Sequence, residues 1–81
     1  MKSVIFVSTR IKGGRVQKST NLTENDSDLY KRVKPIIHAY LLDLLSAQSN
    51  TEDVTIRTRV TQRRSTKGLD LDIKVLEAQA S

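Results

Sequence analysis

Apolar residues recur at positions 29, 30, 33, 36, 37, 40, 41, 44 and 45, and this spacing constrains the fold more than any other feature of the chain. Steps of three and four residues gather all nine on one side of an α-helix. On either side of that stretch the pattern changes to the two-residue period of β-strands. A helix with one apolar side has to bury it, and the flanking strands supply the sheet that covers it.

Ser3–Lys12 is dense in β-branched and aromatic residues, namely Val4, Ile5, Phe6, Val7, Thr9 and Ile11. Gly13-Gly14 follows, and then Arg15–Leu22. Both central positions of a type I′ hairpin turn need φ > 0, which two glycines supply without strain. Strand 1 is apolar on both faces, Val4 and Phe6 on one and Ile5, Val7 and Ile11 on the other, which predicts a central position. Strand 2, with Arg15, Gln17, Lys18, Ser19 and Thr20, suits a solvated edge.

The helix is predicted over 27–48. Asn25 with Asp28, or Ser27 directly, can cap its free N–H groups, and Asp26 and Asp28 favour the positive end of its dipole. Pro35 lies inside the stretch and crowds the carbonyl of Lys31. The apolar stripe stays in phase across it, so a single kinked helix is expected.

Asp53–Gln62 alternates, with Val54, Ile56, Thr58 and Val60 inward. Leu69–Leu76 does the same with Leu69, Leu71, Ile73 and Val75, and Gln62–Gly68 reads as a polar basic loop. Matching the apolar faces sets Val60 opposite Leu69 and Ile56 opposite Ile73, with Arg59 beside Asp70 and Arg57 beside Asp72. Residues 77–81 read as a frayed tail. The expected architecture is α+β in the order β-β-α-β-β: hairpin 3–22, helix 27–48, hairpin 53–76. These form a four-stranded, mostly antiparallel sheet with the helix packed on one face. The strand order 2-1-4-3 would put the two most apolar strands in the centre.

At 81 residues this is a single small domain. A chain of this size buries roughly two-thirds of its unfolded surface, so extra burial by homodimerisation is expected. It has no cysteine for a disulfide framework, and one histidine, His38, cannot build a metal site alone. The apolar run Val4–Val7 is too short for a signal peptide or a membrane span, so a cytoplasmic, membrane-free protein is expected. Asn21-Leu22-Thr23 matches the glycosylation pattern only by coincidence in such a setting. His38 lacks any candidate nucleophile or carboxylate partner and reads as a boundary residue, so neither catalysis nor a cofactor is expected.

Charge is unevenly spread. Residues 1–25 carry five basic side chains against one acid, residues 54–81 six against three, and residues 26–53 three against five. The excess therefore sits on the β segments, and a basic β surface points to an acidic partner. Lys12-Gly13-Gly14-Arg15 is not a phosphate loop, because its glycines join two strands, yet Lys12 and Arg15 flank an exposed turn. Arg63-Arg64-Ser65-Thr66-Lys67 is the denser basic cluster, and Gly68 lets it turn. Phe6, Tyr30 and Tyr40 are the only aromatics, and spending the first two on the core leaves almost nothing for stacking, which disfavours single strands as the ligand.

Two readings follow. In the first, the chain is a non-enzymatic nucleic-acid-binding accessory or regulatory protein. It grips a duplex backbone through Lys12, Arg15, Lys18, Arg63, Arg64 and Lys67. In the second, it is a protein–protein interaction module, a small inhibitor or adaptor of phage or mobile-element type, docking on an acidic protein surface. Two-faced strand 1 and an exposed Leu42 would support that reading.

Overall fold

Two antiparallel hairpins and one helix make up the computed structural model, which describes residues 2–23, 27–48, 52–65 and 68–80. The elements are β1 (Lys2–Lys12), β2 (Arg15–Asn21), α1 (Ser27–Ala47), β3 (Val54–Ser65) and β4 (Gly68–Ala80). They form one antiparallel sheet in the order β2-β1-β3-β4, with α1 packed across one face. The α+β class, the element order and the central place of β1 are as the sequence predicts.

The order of the other two strands differs from expectation: β3, not β4, lies beside β1. The reason is the direction of travel. A helix of 21 residues is about 31 Å long, enough for one pass along the sheet. It returns the chain to the end of the sheet where β2 began, so β3 runs with β2 and antiparallel to β1. Placing β4 beside β1 would make that pair parallel, which forfeits the slightly better antiparallel pairing.

The first hairpin turns where the glycines are, with Lys12 paired to Arg15 and φ of 61° at Gly13 and 75° at Gly14. Nothing lies within 4 Å of where a Cβ would sit at either position, so a side chain there meets backbone strain alone. Gly13→Ala or Gly14→Ala should each cost about 1–2 kcal/mol. Urea unfolding of the two variants checks this, and an unchanged midpoint would refute it.

The second hairpin is tighter than the expected loop. Pairing continues to Ser65↔Gly68, across a two-residue connection, so Gln62–Ser65 belongs to β3. Their polarity marks a hairpin end beyond the core, not a loop, because backbone pairs form whatever the side chains are. The register moves by four residues as a result: Val60 faces Ile73, Arg59 faces Lys74 and Arg63 faces Asp70. The expected pairs Arg59–Asp70 and Arg57–Asp72 therefore do not form. A further shift between Arg57 and Thr58 leaves Arg57 opposite Glu77, and Ile56 opposite Ala78 instead of Ile73. Residues 77–80, expected as a frayed tail, are the last turn-free stretch of β4 and pair with Val54–Arg57.

The core lies between α1 and one face of the sheet. Ile5, Val7 and Ile11 of β1 and Val54, Ile56 and Val60 of β3 meet Leu29, Val33, Ile37, Leu41 and Leu45 of α1. The buried helix residues are spaced by four, a single ridge. One sheet covers only that ridge, so Ile36 and Tyr40, which the apolar spacing assigns to the same stripe, are 47% and 41% exposed. Leu42, expected as an exposed contact, instead packs against the core. Two threonines complete the buried face: Thr58 Oγ1 donates to Val7 O at 3.4 Å, while Thr9 Oγ1 is buried with no partner among the described residues. The helix runs unbroken through Pro35, which lies on its exposed side, where water can reach the carbonyl left without a donor.

Candidate nucleic-acid interface

Since α1 covers one face of the sheet, strand alternation assigns every second residue to the other face. On β1 these are Val4, Phe6, Ser8, Arg10 and Lys12, and on β3 Thr55, Arg57, Arg59, Thr61 and Arg63. Cross-strand pairing then builds rows. One row reads Lys18–Arg10–Thr55–Gln79, the next Thr20–Ser8–Arg57–Glu77, and the third Phe6–Arg59–Lys74. Leu22 extends the third row, donating its N–H to Phe6 O at 2.8 Å. Eight cations (Lys12, Arg15, Lys18, Arg10, Arg57, Arg59, Arg63 and Lys74) share this face with three acids (Glu77, Asp72 and Asp70).

Two features of that face do not serve folding. Arg59 stands directly opposite Lys74, and like charges directly opposite one another destabilise a strand pair. Phe6, beside Arg59, leaves 41% of its surface exposed. Phe6, Leu22, Arg57, Thr58 and Leu76 line an open, mostly apolar groove of about 410 Å³. Arg57 forms a loose ion pair with Glu77 at 3.9 Å, and with both side chains well exposed it holds Arg57 only weakly.

The groove is shaped by local chemistry just beyond β2. Asn21 Oδ1 accepts the N–H of Thr23 at 2.9 Å, an Asx-type turn, and Thr23 Oγ1 accepts the N–H of Phe6 at 2.9 Å. Asn21-Leu22-Thr23 thus has a structural purpose: it satisfies the Phe6 backbone after the ladder ends and holds Leu22 beside the ring. At the far end of β1, Asp53 Oδ1 accepts the N–H of Gly13 at 3.2 Å and ties the first turn to the start of β3.

The residues expected to grip a backbone are not brought together. Lys12 and Arg15 flank the first turn, and Lys18 is paired with Arg10. Arg63 lies near the other end of β1, opposite Lys2. Ten residues of strand separate these ends, about 34 Å. Arg64 is in β3 opposite Leu69, and Lys67 lies outside the described residues. Between the two tips lie Arg10, Arg57 and Arg59, one from each of the three rows, none of which the sequence marks as a contact residue. The alternation of β1 already set Phe6 and Arg10 on one face, but Arg57 and Arg59 looked neutralised by Asp70 and Asp72, a pairing that only the true register removes. Of the aromatics expected in the core, Tyr30 packs against it, whereas Phe6 lies on the sheet face away from α1 and is exposed.

His38 sits on the other side of the molecule, half-buried in α1. Its Nε2 has no hydrogen-bond partner among the described residues, and its pKa is lowered from 6.5, first by burial and then by Lys34. The folded protein holds it neutral more strongly than the unfolded chain does. Its contribution is therefore complete above pH 6.5 and is lost as pH falls through the folded-state value. His38→Gln should flatten stability against pH below about 6.5; unfolding midpoints across that range test it, and an unaltered slope would contradict it. Among the described residues no group of three or more histidine, aspartate or glutamate side chains is placed to hold a metal ion, and no helix is long and apolar enough to cross a membrane.

Comparison of the chain with protein-family models, with curated proteins and with solved structures gives no match, so the functional reading rests on this basic, half-apolar sheet face.

Proposed function

We propose that this protein is a non-enzymatic nucleic-acid-binding protein that uses the open face of its sheet. The observation that carries the reading is the row Leu22–Phe6–Arg59–Lys74: an exposed aromatic ring in an apolar groove, followed on one side by two cations that oppose each other across a strand pair. Bringing a phosphate to Arg59 and Lys74 relieves their repulsion. A base that is not paired can lay its face on Phe6, which the stacked bases of a duplex cannot do. The ligand is therefore a single strand in preference to a duplex, its backbone following Arg10, Arg57 and Arg59 towards either hairpin tip.

Anisotropy titration with a labelled single strand and a duplex of the same length, at several salt concentrations, tests this. The expected result is tighter single-strand binding that weakens steeply with salt, because each neutralised phosphate releases counterions. Preferential duplex binding would return the contacts to the hairpin tips, and no binding by either at low salt would remove nucleic acid from consideration. The exposed pair Ile36 and Tyr40, one turn apart on the outer side of α1, supports docking on another protein as the second reading.

A further inference from the structure

We propose that two copies of this chain associate edge to edge through β4, antiparallel, with Ile73 on the two-fold axis. The proposal concerns the sheet edge and shares only Lys74 with the nucleic-acid reading, and its readout, the mass of the protein without nucleic acid, is separate from that reading. β4 is the longest strand at 13 residues, and among the described residues nothing pairs with its outer side. An unpaired edge of that length is a template for another strand unless something blunts it. The other edge, β2, is blunted: it has seven residues, an irregularity between Arg10 and Ile11 in its pairing with β1, and a mostly polar sequence. In β4 the irregularity falls beyond Val75, so pairing with β3 is regular from Gly68 to Val75.

Within that regular stretch, Leu71, Ile73 and Val75 face the core but stay only partly buried, because the sheet stops beside them. A second β4 would continue their apolar row. The charges choose the register. A two-fold pair sets one residue against itself and its neighbours against each other in reverse order. With Ile73 on the axis, Asp72 meets Lys74 of the second copy, twice by symmetry, and Leu71 meets Val75 of the second copy. Centring on Asp72 opposes two carboxylates, centring on Lys74 opposes two ammonium groups, and centring on Leu71 sets Asp70 against Asp72. Of these registers the one centred on Ile73 alone pairs Asp72 with Lys74 while setting no like charges against each other; it leaves Asp70 opposite the uncharged Leu76. It also brings a carboxylate to Lys74, which inside one chain faces Arg59. Both copies keep their helices on the same side, forming one eight-stranded sheet.

Sedimentation velocity from low to high micromolar concentration provides the test. Wild type should shift towards twice its 9.1 kDa mass as concentration rises. Asp72→Lys and Lys74→Asp should each weaken dimerisation about tenfold or more, since two attractions become two repulsions. The double variant Asp72→Lys/Lys74→Asp should recover the dimer. Circular dichroism on each variant separates this from a failure to fold. The chain has no cysteine, so Ile73→Cys is a clean second probe. Directly opposed Cα atoms lie about 4.5–5.5 Å apart, within disulfide range, and oxidation should link two copies. A monomeric wild type, single variants that dimerise as wild type does, a double variant that stays monomeric, or no cross-link from Ile73→Cys would each overturn the proposal.

Discussion

Ile37→Ala should remove about 2–5 kcal/mol of stability, the range for truncating a well-packed core isoleucine. Ile37 is 0% exposed and sits at the middle of the buried ridge, between Val33 and Leu41 and over the sheet. The sheet cannot close on the space left, because the helix is held on both sides of the site by Leu29 and Leu45. A domain of 81 residues has about 4–12 kcal/mol in total, so this single change should consume roughly a sixth of it at the least and close to half at mid-range values. Ile36→Ala is the control: the same chemistry one residue earlier, at 47% exposure, should cost about 0.5 kcal/mol or less. Urea titration of both variants measures the contrast, and equal losses would mean that the buried side of α1 is misassigned.

Arg57→Ala combined with Arg59→Ala should produce the largest loss of nucleic-acid affinity. Both residues lie in the middle of the open face, next to the groove, and each is expected to meet a phosphate. Removing two phosphate contacts should lower the salt slope by about 1.4 on a single strand, alongside a loss of order tenfold to a hundredfold in affinity. Phe6→Ala should cost a further 1–3 kcal/mol or so on single strands and leave duplex binding unchanged, since only an unstacked base can use the ring. Arg63→Ala combined with Arg64→Ala should do less, because Arg63 stands opposite Asp70 at one end of the sheet. Stability should stay level or rise slightly in the Arg57/Arg59 variant, because Lys74 then loses its like-charged neighbour. Affinity unaffected by this pair but reduced by Arg63/Arg64 would move the site to the hairpin tip.

The difference between Ile36 and Ile37 shows how far the residues speak for themselves. Periodicity places both on the apolar side of one helix, and it does so because side chains on a helix repeat by angle whatever surrounds them. The width of the buried ridge is set by what lies opposite. One sheet, approached along one line, covers Leu29, Val33, Ile37, Leu41 and Leu45 and leaves Ile36 and Tyr40 to solvent.

The hairpins divide in the same way. Gly13-Gly14 determined the first turn locally, since few other residue pairs adopt positive φ twice in succession. The faces of β3 and β4 were also local, and they survived a four-residue error in register because an even shift leaves alternation intact. Partners were not local. Whether Arg59 meets Asp70 or Lys74 depends on how far the hairpin zips towards its tip, and whether β3 or β4 lies beside β1 depends on the single pass of α1. The candidate site is made of such partners: Phe6 from β1, Arg59 from β3, Lys74 from β4 and Leu22 from the end of β2. Local geometry, which each residue carries with it, was determined by the sequence alone; the juxtaposition of cations and an exposed ring was decided by pairing between distant segments, which only the tertiary structure sets.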